Sequence, residues 1–302
     1  MSEKRDVILT IVQGTDFDYV APFIFSLQRS GFRGRLIVFA SAMKGDAIRQ
    51  MESHGVTVVS YPFKSKRLRE AIFWPLWPLW RRYFAAGNIS PRKEKLAHAA
   101  LPLFYRRHLV YLEYLRAHQD EFDRVFLSDA RDVYFQADPF AWPFTAGLHF
   151  FMLPATNNIV TARLFVNWEQ NQFGVTQAEP HLKKNVSCAG TTFGDTASIL
   201  NYLSQMVSVS LRARKLRRVT GGDDQGVHNF LICENKFPRA TLHHNFAGPI
   251  LTTAEPLTMN DIRLDSGDRV VDEQGNVIPV LHQYDRIPEL KKHILAMHAK
   301  GQ

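Results

Sequence analysis

Cysteine is scarce in this chain. Cys188 and Cys233 are the only two in 302 residues. Two cysteines build no disulfide framework, so a packed apolar core must hold the fold, and a reducing cytoplasm is the expected compartment. Long hydrophobic runs are also missing. No stretch reaches the roughly 18 apolar residues that a membrane span needs. Residues 1–6 run straight into a strand-like segment, with no hydrophobic signal region. There is no Gly/Ser-rich linker and no internal repeat, which leads to the expectation of a single domain over residues 1–302. The Gly-x-Gly-x-x-Gly fingerprint is absent after the first strand-like run, which argues against a nicotinamide or flavin cofactor.

The chain has ample material for a core, at 45% hydrophobic residues. Its formal charge of +8 asks for an anionic partner: a nucleotide, a nucleic acid or an acidic membrane surface. Residues 7–12, 36–40 and 56–60 are short β-branched or apolar runs that read as strands. Between them, Val20, Phe23, Ile24 and Leu27 recur at helical spacing, and residues 43–54 form a second helical pattern ended by Gly55. Strand, helix, strand, helix, strand at this spacing predicts an α/β fold with a mostly parallel central sheet flanked by helices.

Residues 61–87 break the pattern. They hold Lys64, Lys66, Arg67 and Arg69, then Trp74, Trp77 and Trp80 with Pro75 and Pro78, then Arg81 and Arg82. Two prolines forbid one regular helix. The segment reads as an aromatic and basic insertion. It either packs on the domain as a long loop, contacts a membrane interface through residues 64–82, or joins two copies of the chain. Ser90 and Pro91 mark a helix start, and that helix is expected to run towards His118 with an interruption near Pro102. Arg106, Arg107 and His108 fall on it. A solvated helix face is the ordinary reading for them, and a phosphate contact is the alternative.

The most informative stretch is residues 124–140. Val125, Phe126 and Leu127 read as a buried strand, and Asp129, Arg131 and Asp132 follow at once. An unpaired carboxylate is costly to bury. It is tolerated beside a cation, and hard ions such as Mg²⁺ or Mn²⁺ prefer carboxylate oxygens. Ligands of open α/β sheets bind beyond the carboxyl ends of the strands, where these carboxylates fall. The bland alternative is a loop whose two Asp residues pair with Arg124 and Arg131. Further on, residues 148–153 read as a strand and 162–172 as a helix. Residues 186–194 are small and hydroxyl-rich, and read as a loop that a ligand can approach closely. Residues 196–214 form a helix with a basic end. Gly221, Gly222, Asp223, Asp224 and Gln225 open a short helix, where the two Asp residues suit either capping or a polar active-site edge. A hairpin turn at 272–276, a strand ending at His282 and a last helix over 288–298 complete the chain.

Four features in order carry a resemblance: the strand ending in Ser128-Asp-Ala-Arg-Asp132, the segment Cys188-Ala-Gly-Thr-Thr-Phe-Gly194, the segment Gly222-Asp-Asp-Gln225, and the late His282. Together they resemble the nucleotide-sugar glycosyltransferases of GT-A fold, closest to the glycogenin-like retaining branch. The resemblance implies a Rossmann-type sheet and a divalent metal, Mn²⁺ or Mg²⁺, held by an Asp-x-Asp motif with a late histidine. Here the spacing is one residue longer, with Asp132 on the second motif position, so Asp129 binds either metal or the donor ribose. The implied metal ligands are Asp129, Asp132 and His282. The implied donor contacts are Thr10, Gln13 and Gly14 beside the base and ribose, Arg107, Arg131 and Arg286 towards the diphosphate, and Ala189, Gly190, Thr191 and Thr192 around the sugar. Asp223, Asp224 and Gln225 lie near the transferred sugar as candidate catalytic groups. The implied reaction is transfer of a sugar from a UDP- or GDP-linked donor to a glycan or lipid-linked acceptor, as in polysaccharide biosynthesis, with the anomeric configuration retained.

Two other functions compete. A sugar-1-phosphate nucleotidyltransferase also uses a doubly wound sheet, but its Gly-rich basic signature is missing around Gln13 and Gly14. A basic nucleic-acid-binding protein would suit the charge, but no recognised binding motif appears, so no nucleic-acid partner is expected. The expected location is the cytoplasm, with peripheral contact at the inner membrane face if the 64–82 segment docks there.

Overall fold

The computed structural model describes residues 5–61, 69–87, 89–154, 159–181, 184–215 and 223–300. Its centre is a seven-stranded sheet. β1 (Asp6–Gln13) pairs in parallel with β2 (Arg35–Ser41) and β4 (Arg124–Ser128), and β2 pairs in parallel with β3 (Thr57–Ser60). β7 (Ser187–Asp195) runs antiparallel between β4 and β6 (Leu148–Met152), and β8 (Thr241–His243) adds an edge parallel to β6. The order is β3-β2-β1-β4-β7-β6-β8, and within it β7 alone is reversed. This is the expected α/β class, a mostly parallel Rossmann-like sheet with helices on its faces.

Strand periodicity explains the two-sided burial. Val7 and Leu9 of β1 enter one apolar cluster, and Ile8 enters another. Successive side chains of a strand point to opposite faces, so the near-continuous apolar runs in β1, β2 and β4 are those of strands covered on both sides. One face packs against α1 (Ala21–Arg29) and carries Met51 of α2 (Gly45–Ser53). The other packs against α4 (Pro91–Ala100), α5 (Leu103–Ala117), α8 (Thr196–Ser210) and α9 (Asp223–Cys233). The expected break at Pro102 separates α4 from α5, and the Ser90 side chain caps α4 by accepting from the Lys93 amide.

A second, smaller sheet is built from distant segments. β12 (Val280–His282) lies between β5 (Val133–Phe135), to which it is antiparallel, and β9 (Ile250–Thr252), to which it is parallel. A third apolar cluster holds this sheet against α10 (Pro288–Lys300) through Tyr134, Leu251, Leu281, Leu290 and Ile294. β12 is the late strand expected from sequence, and the expected hairpin turn lies ahead of it, outside this sheet: the Asp272 amide donates to the Asn276 carbonyl, and Val271 bridges to Val277.

Three expectations are corrected here. The segment expected as a loop is β7, a buried central strand paired to β4 over Thr191–Asp195 and to β6 over Thr192–Gly194 and at Ser187, with an irregularity between. Small residues fit because both faces are crowded: a Cβ on Gly194 would lie 2.9 Å from the Gly147 carbonyl oxygen. Arg106, Arg107 and His108 do not form a solvated face. All three are buried, because α5 sits between the sheet and its neighbouring helices. The aromatic insertion is not one long loop. After a π-helical turn, Arg69–Phe73, the chain forms α3 (Trp77–Ala85), with Pro78 in its first turn where no amide donor is missed.

Candidate active site

The site forms where the two sheets meet. Main-sheet pairing fixes Asp129: its amide donates to the Gly190 carbonyl at 2.8 Å, one residue past the end of β4. Small-sheet pairing fixes Asp132, since His282 stands opposite Val133 and the Gln283 amide donates to the Asp132 carbonyl at 2.7 Å. The chain turns between the two carboxylates, so each hangs from a different sheet. Gln283 takes a left-handed conformation, φ 58°, to bring its amide round.

Asp129, Asp132 and His282 each offer a donor atom within 4.8 Å of the others. His282 is fully buried, and its Nε2, 3.8 Å from Asp129 Oδ2, makes no hydrogen bond. Its Nδ1 lies 3.4 Å from the Thr252 hydroxyl on the neighbouring strand. Gly190 makes room for the cluster. A Cβ there would lie 2.6 Å from both Asp129 Oδ2 and His282 Cε1, distances that no side chain tolerates.

Arginines take one oxygen of each carboxylate. Arg107 donates to Asp129 Oδ1 at 2.5 Å and pairs with Asp224 Oδ2 at 2.6 Å, while also donating to the Ala189 carbonyl. Arg131 pairs with Asp132 at 2.9 Å and with Asp285 at 3.2 Å. Arg124 is turned away and pairs with Asp6. The simple loop reading therefore holds for Arg131 and fails for Arg124. Arg107 is buried, with its guanidinium paired to two carboxylates. It pins the carboxylate after β4 to the first turn of α9.

The electrostatics follow from this packing. Burial would raise the Asp129 carboxyl, but Arg107 and His282 outweigh it and hold the group well below the usual carboxylate range. Burial together with the Asp129 charge pushes Asp132 up despite Arg131 and His282. Burial likewise raises Asp224 against the pull of Arg107. His282 moves upward: burial opposes its charge, but Cys188 and the two carboxylates prevail. Carboxylates that favour positive charge on this imidazole would also favour a metal cation, which the ring ligates in its neutral form.

The remaining predicted residues divide clearly. Gln225 spends its amide on β7, its Oε1 accepting from the Ala189 amide at 2.8 Å and its Nε2 donating to the Ser187 carbonyl. These bonds tie α9 to the strand. Asp224 is buried and paired with Arg107. Asp223 opens α9, and its side chain lies outside the described residues, as do Gly221 and Gly222. Thr191 and Thr192 are buried in β7. Thr10 lies buried in β1, Gln13 ends that strand, and Gly14 follows with φ 63°. Arg286 is exposed in the turn after His282 and makes no ion pair among the described residues. Sequence reasoning missed Cys188 and Thr252, which flank His282 only because β7 and β9 come from distant parts of the chain.

A second group, Glu169, His181 and Cys233, also lies within 4.8 Å. There both imidazole nitrogens already face carboxylates, Glu169 at 2.5 Å and Glu234 at 3.2 Å, and burial pushes the Cys233 thiol up to about 12. That group reads as a hydrogen-bonded clamp between α6 (Ile159–Phe173) and α9.

The fold and site thus define a mixed α/β protein with a carboxylate–imidazole cluster at the carboxyl end of its central strand. Comparison of the chain with protein-family models and with curated proteins finds no match in either.

Proposed function

We propose that this protein is a divalent-metal-dependent glycosyltransferase that moves a sugar from a UDP- or GDP-linked donor to a glycan or lipid-linked acceptor. The observation that carries the reading is the convergence of Asp129, Asp132 and His282 over Gly190, with the His282 Nε2 buried and unpartnered. Two carboxylates with one imidazole fit Mn²⁺, which accepts nitrogen as well as oxygen, better than Mg²⁺, whose preference is for oxygen alone. Bound there, the cation would neutralise the charge that develops on a departing nucleoside diphosphate.

The chain's own groups take definite parts in this reading. Asp129, Asp132 and His282 hold the metal. Arg131 is half exposed at the rim between Asp132 and Asp285, where it can turn from a carboxylate to a phosphate. Arg107, Asp224 and Gln225 are positioning residues that fix Asp129 and β7. Around β1, Thr10 Oγ1, Gln13 Oε1 and Thr15 Oγ1 are buried without hydrogen-bond partners among the described residues, which suits a site for a base and ribose.

The test is a panel of nucleotide sugars with Mn²⁺, read for release of nucleoside diphosphate and for the anomeric configuration of the product. Slow donor hydrolysis is expected, lost in chelator and in Asp132→Asn, with the variant's melting temperature preserved. Pyrophosphate exchange instead would assign a nucleotidyltransferase. Full activity in excess chelator would overturn the metal's part.

A further inference from the structure

The 69–87 segment has apolar residues on two stripes rather than one. Phe73, Trp77 and Phe84 point into the core, and Trp80 packs on Phe73 with ring centroids 5.0 Å apart. The Trp77 indole donates to the Ala213 carbonyl at 2.8 Å, which anchors α3 to the loop after α8. One residue out of phase lies a second stripe: Ile72, Leu76, Leu79 and Tyr83 are 44, 51, 61 and 41% exposed. Leu76, Leu79 and Tyr83 follow helical spacing from the cap of α3 onward, and Ile72 lies on the π-helical turn that precedes it. Exposed aliphatic side chains occur singly on any surface, but four in a row form a patch that needs a partner.

Charge says what that partner is. Residues 64–95 hold nine of the 37 Lys and Arg but only two of the 29 Asp and Glu. Nearly all of the net charge of +8 therefore comes from this one segment, and the rest of the chain is close to neutral. Arg82 is exposed on α3 next to Tyr83 in the chain, and Arg92 and Lys95 are exposed on α4. Lys93 is folded back onto the Ala86 carbonyl and lies 5.3 Å from the Tyr83 ring centroid, joining α4 to the patch. Aliphatic side chains bordered by cations match a bilayer with anionic headgroups, where the apolar atoms enter the acyl boundary and the cations meet phosphate. A nucleic acid would leave Ile72, Leu76 and Leu79 with nothing to cover them. Among the described residues no helix is long and apolar enough to cross a membrane, so contact here is from one side.

We propose that Ile72, Leu76, Leu79 and Tyr83, with Arg82, Arg92 and Lys95, form a docking surface for an anionic lipid bilayer. The tryptophans are not part of this stripe: Trp77 is core, and Trp74 and Trp80 are half-buried. This inference does not rest on the glycosyltransferase reading and survives its failure.

The experiment is flotation of the full chain with vesicles of phosphatidylcholine, with and without phosphatidylglycerol. Binding to the anionic vesicles is expected, weakened by salt and absent with phosphatidylcholine alone. Leu76→Ser with Leu79→Ser should abolish it while leaving the circular dichroism spectrum and melting temperature as in the parent. Arg82→Gln should weaken it by about fivefold, the effect of one basic residue near an anionic surface. Failure of the parent chain to float with anionic vesicles at low salt overturns the proposal. So does binding that survives the double variant, or a parent chain that is dimeric in solution and becomes monomeric in the double variant.

Discussion

Two regions of this molecule invert the usual partition of residues, in opposite directions. At the meeting of the sheets, Arg107, Asp132, Asp224 and His282 are buried charges or titratable groups. On the 69–87 segment, Ile72, Leu76, Leu79 and Tyr83 are apolar and exposed. The first arrangement costs desolvation energy, which the fold recovers only through close pairing. The second costs the fold little, because these side chains carry no buried polar group and keep between 41 and 61% of their surface in solvent. Disturbing the first region should therefore be felt as stability and chemistry together, and disturbing the second as association alone.

The largest expected effect comes from Arg107. It is paired with Asp129 at 2.5 Å and Asp224 at 2.6 Å, and Asp224 is 2% exposed. Arg107→Met fills the space but leaves a buried carboxylate without its partner, a loss of about 3–5 kcal/mol. Adding Asp224→Asn should restore a large part of it. Urea unfolding of the parent, the two single variants and the double variant measures this. If Arg107→Met unfolds at the parental urea concentration, the buried ion pairs do not hold the junction.

Much of this junction was legible in the sequence, and the missing part has a physical reason. Asp129 and Asp132 stood out because carboxylates ending an apolar run conflict with local burial, and such a conflict is readable without knowing the fold. His282 was placed late in the chain beside a strand, and β12 does carry it to Asp132. The role of Arg107 was not legible, because a basic residue on a helix reads as solvent-facing until the helix is known to be covered on both sides. The segment at 187–195 was misread for a related reason: small hydroxyl residues mark loops on average, yet here they fill a crowded antiparallel strand. In the insertion, Pro75 and Pro78 correctly excluded one continuous helix, but aromatic character did not tell which stripe stays exposed. Which of two interleaved stripes faces inward depends on the partner surface, and no local pattern contains that.

A middle-sized effect concerns acid. His228 is fully buried between the Tyr202 hydroxyl, at 2.8 Å from Nδ1, and the Ser187 hydroxyl, at 3.0 Å from Nε2. Burial, with the nearby Arg107 charge, lowers its pKa to about 3. In the unfolded chain the imidazole takes a proton near pH 6.5. Between those values the unfolded state binds the extra proton, so stability is full above about pH 6.5 and falls as pH drops towards 3. The slope contributed by one such group reaches about 1.4 kcal/mol per pH unit. Urea midpoints collected across this range should fall less steeply in His228→Gln than in the parent. Equal slopes would mean that the histidine is already charged in the fold.

The smallest expected effect sharpens the contrast most. Leu79 is 61% exposed, more than any other large apolar residue of the stripe. A leucine this open gains little burial on folding, so Leu79→Ser should change unfolding free energy by less than about 0.5 kcal/mol. The same change should weaken adsorption to anionic vesicles, because there Leu79 would enter the bilayer and its transfer energy would count in full. The measurement is urea unfolding of parent and variant at two protein concentrations. A near-zero difference at both marks a face that folding leaves open. A cost of more than about 1 kcal/mol that grows with protein concentration would mean that copies of the chain bury Leu79 against each other, and the opposition between the two regions would then give way to a second buried interface.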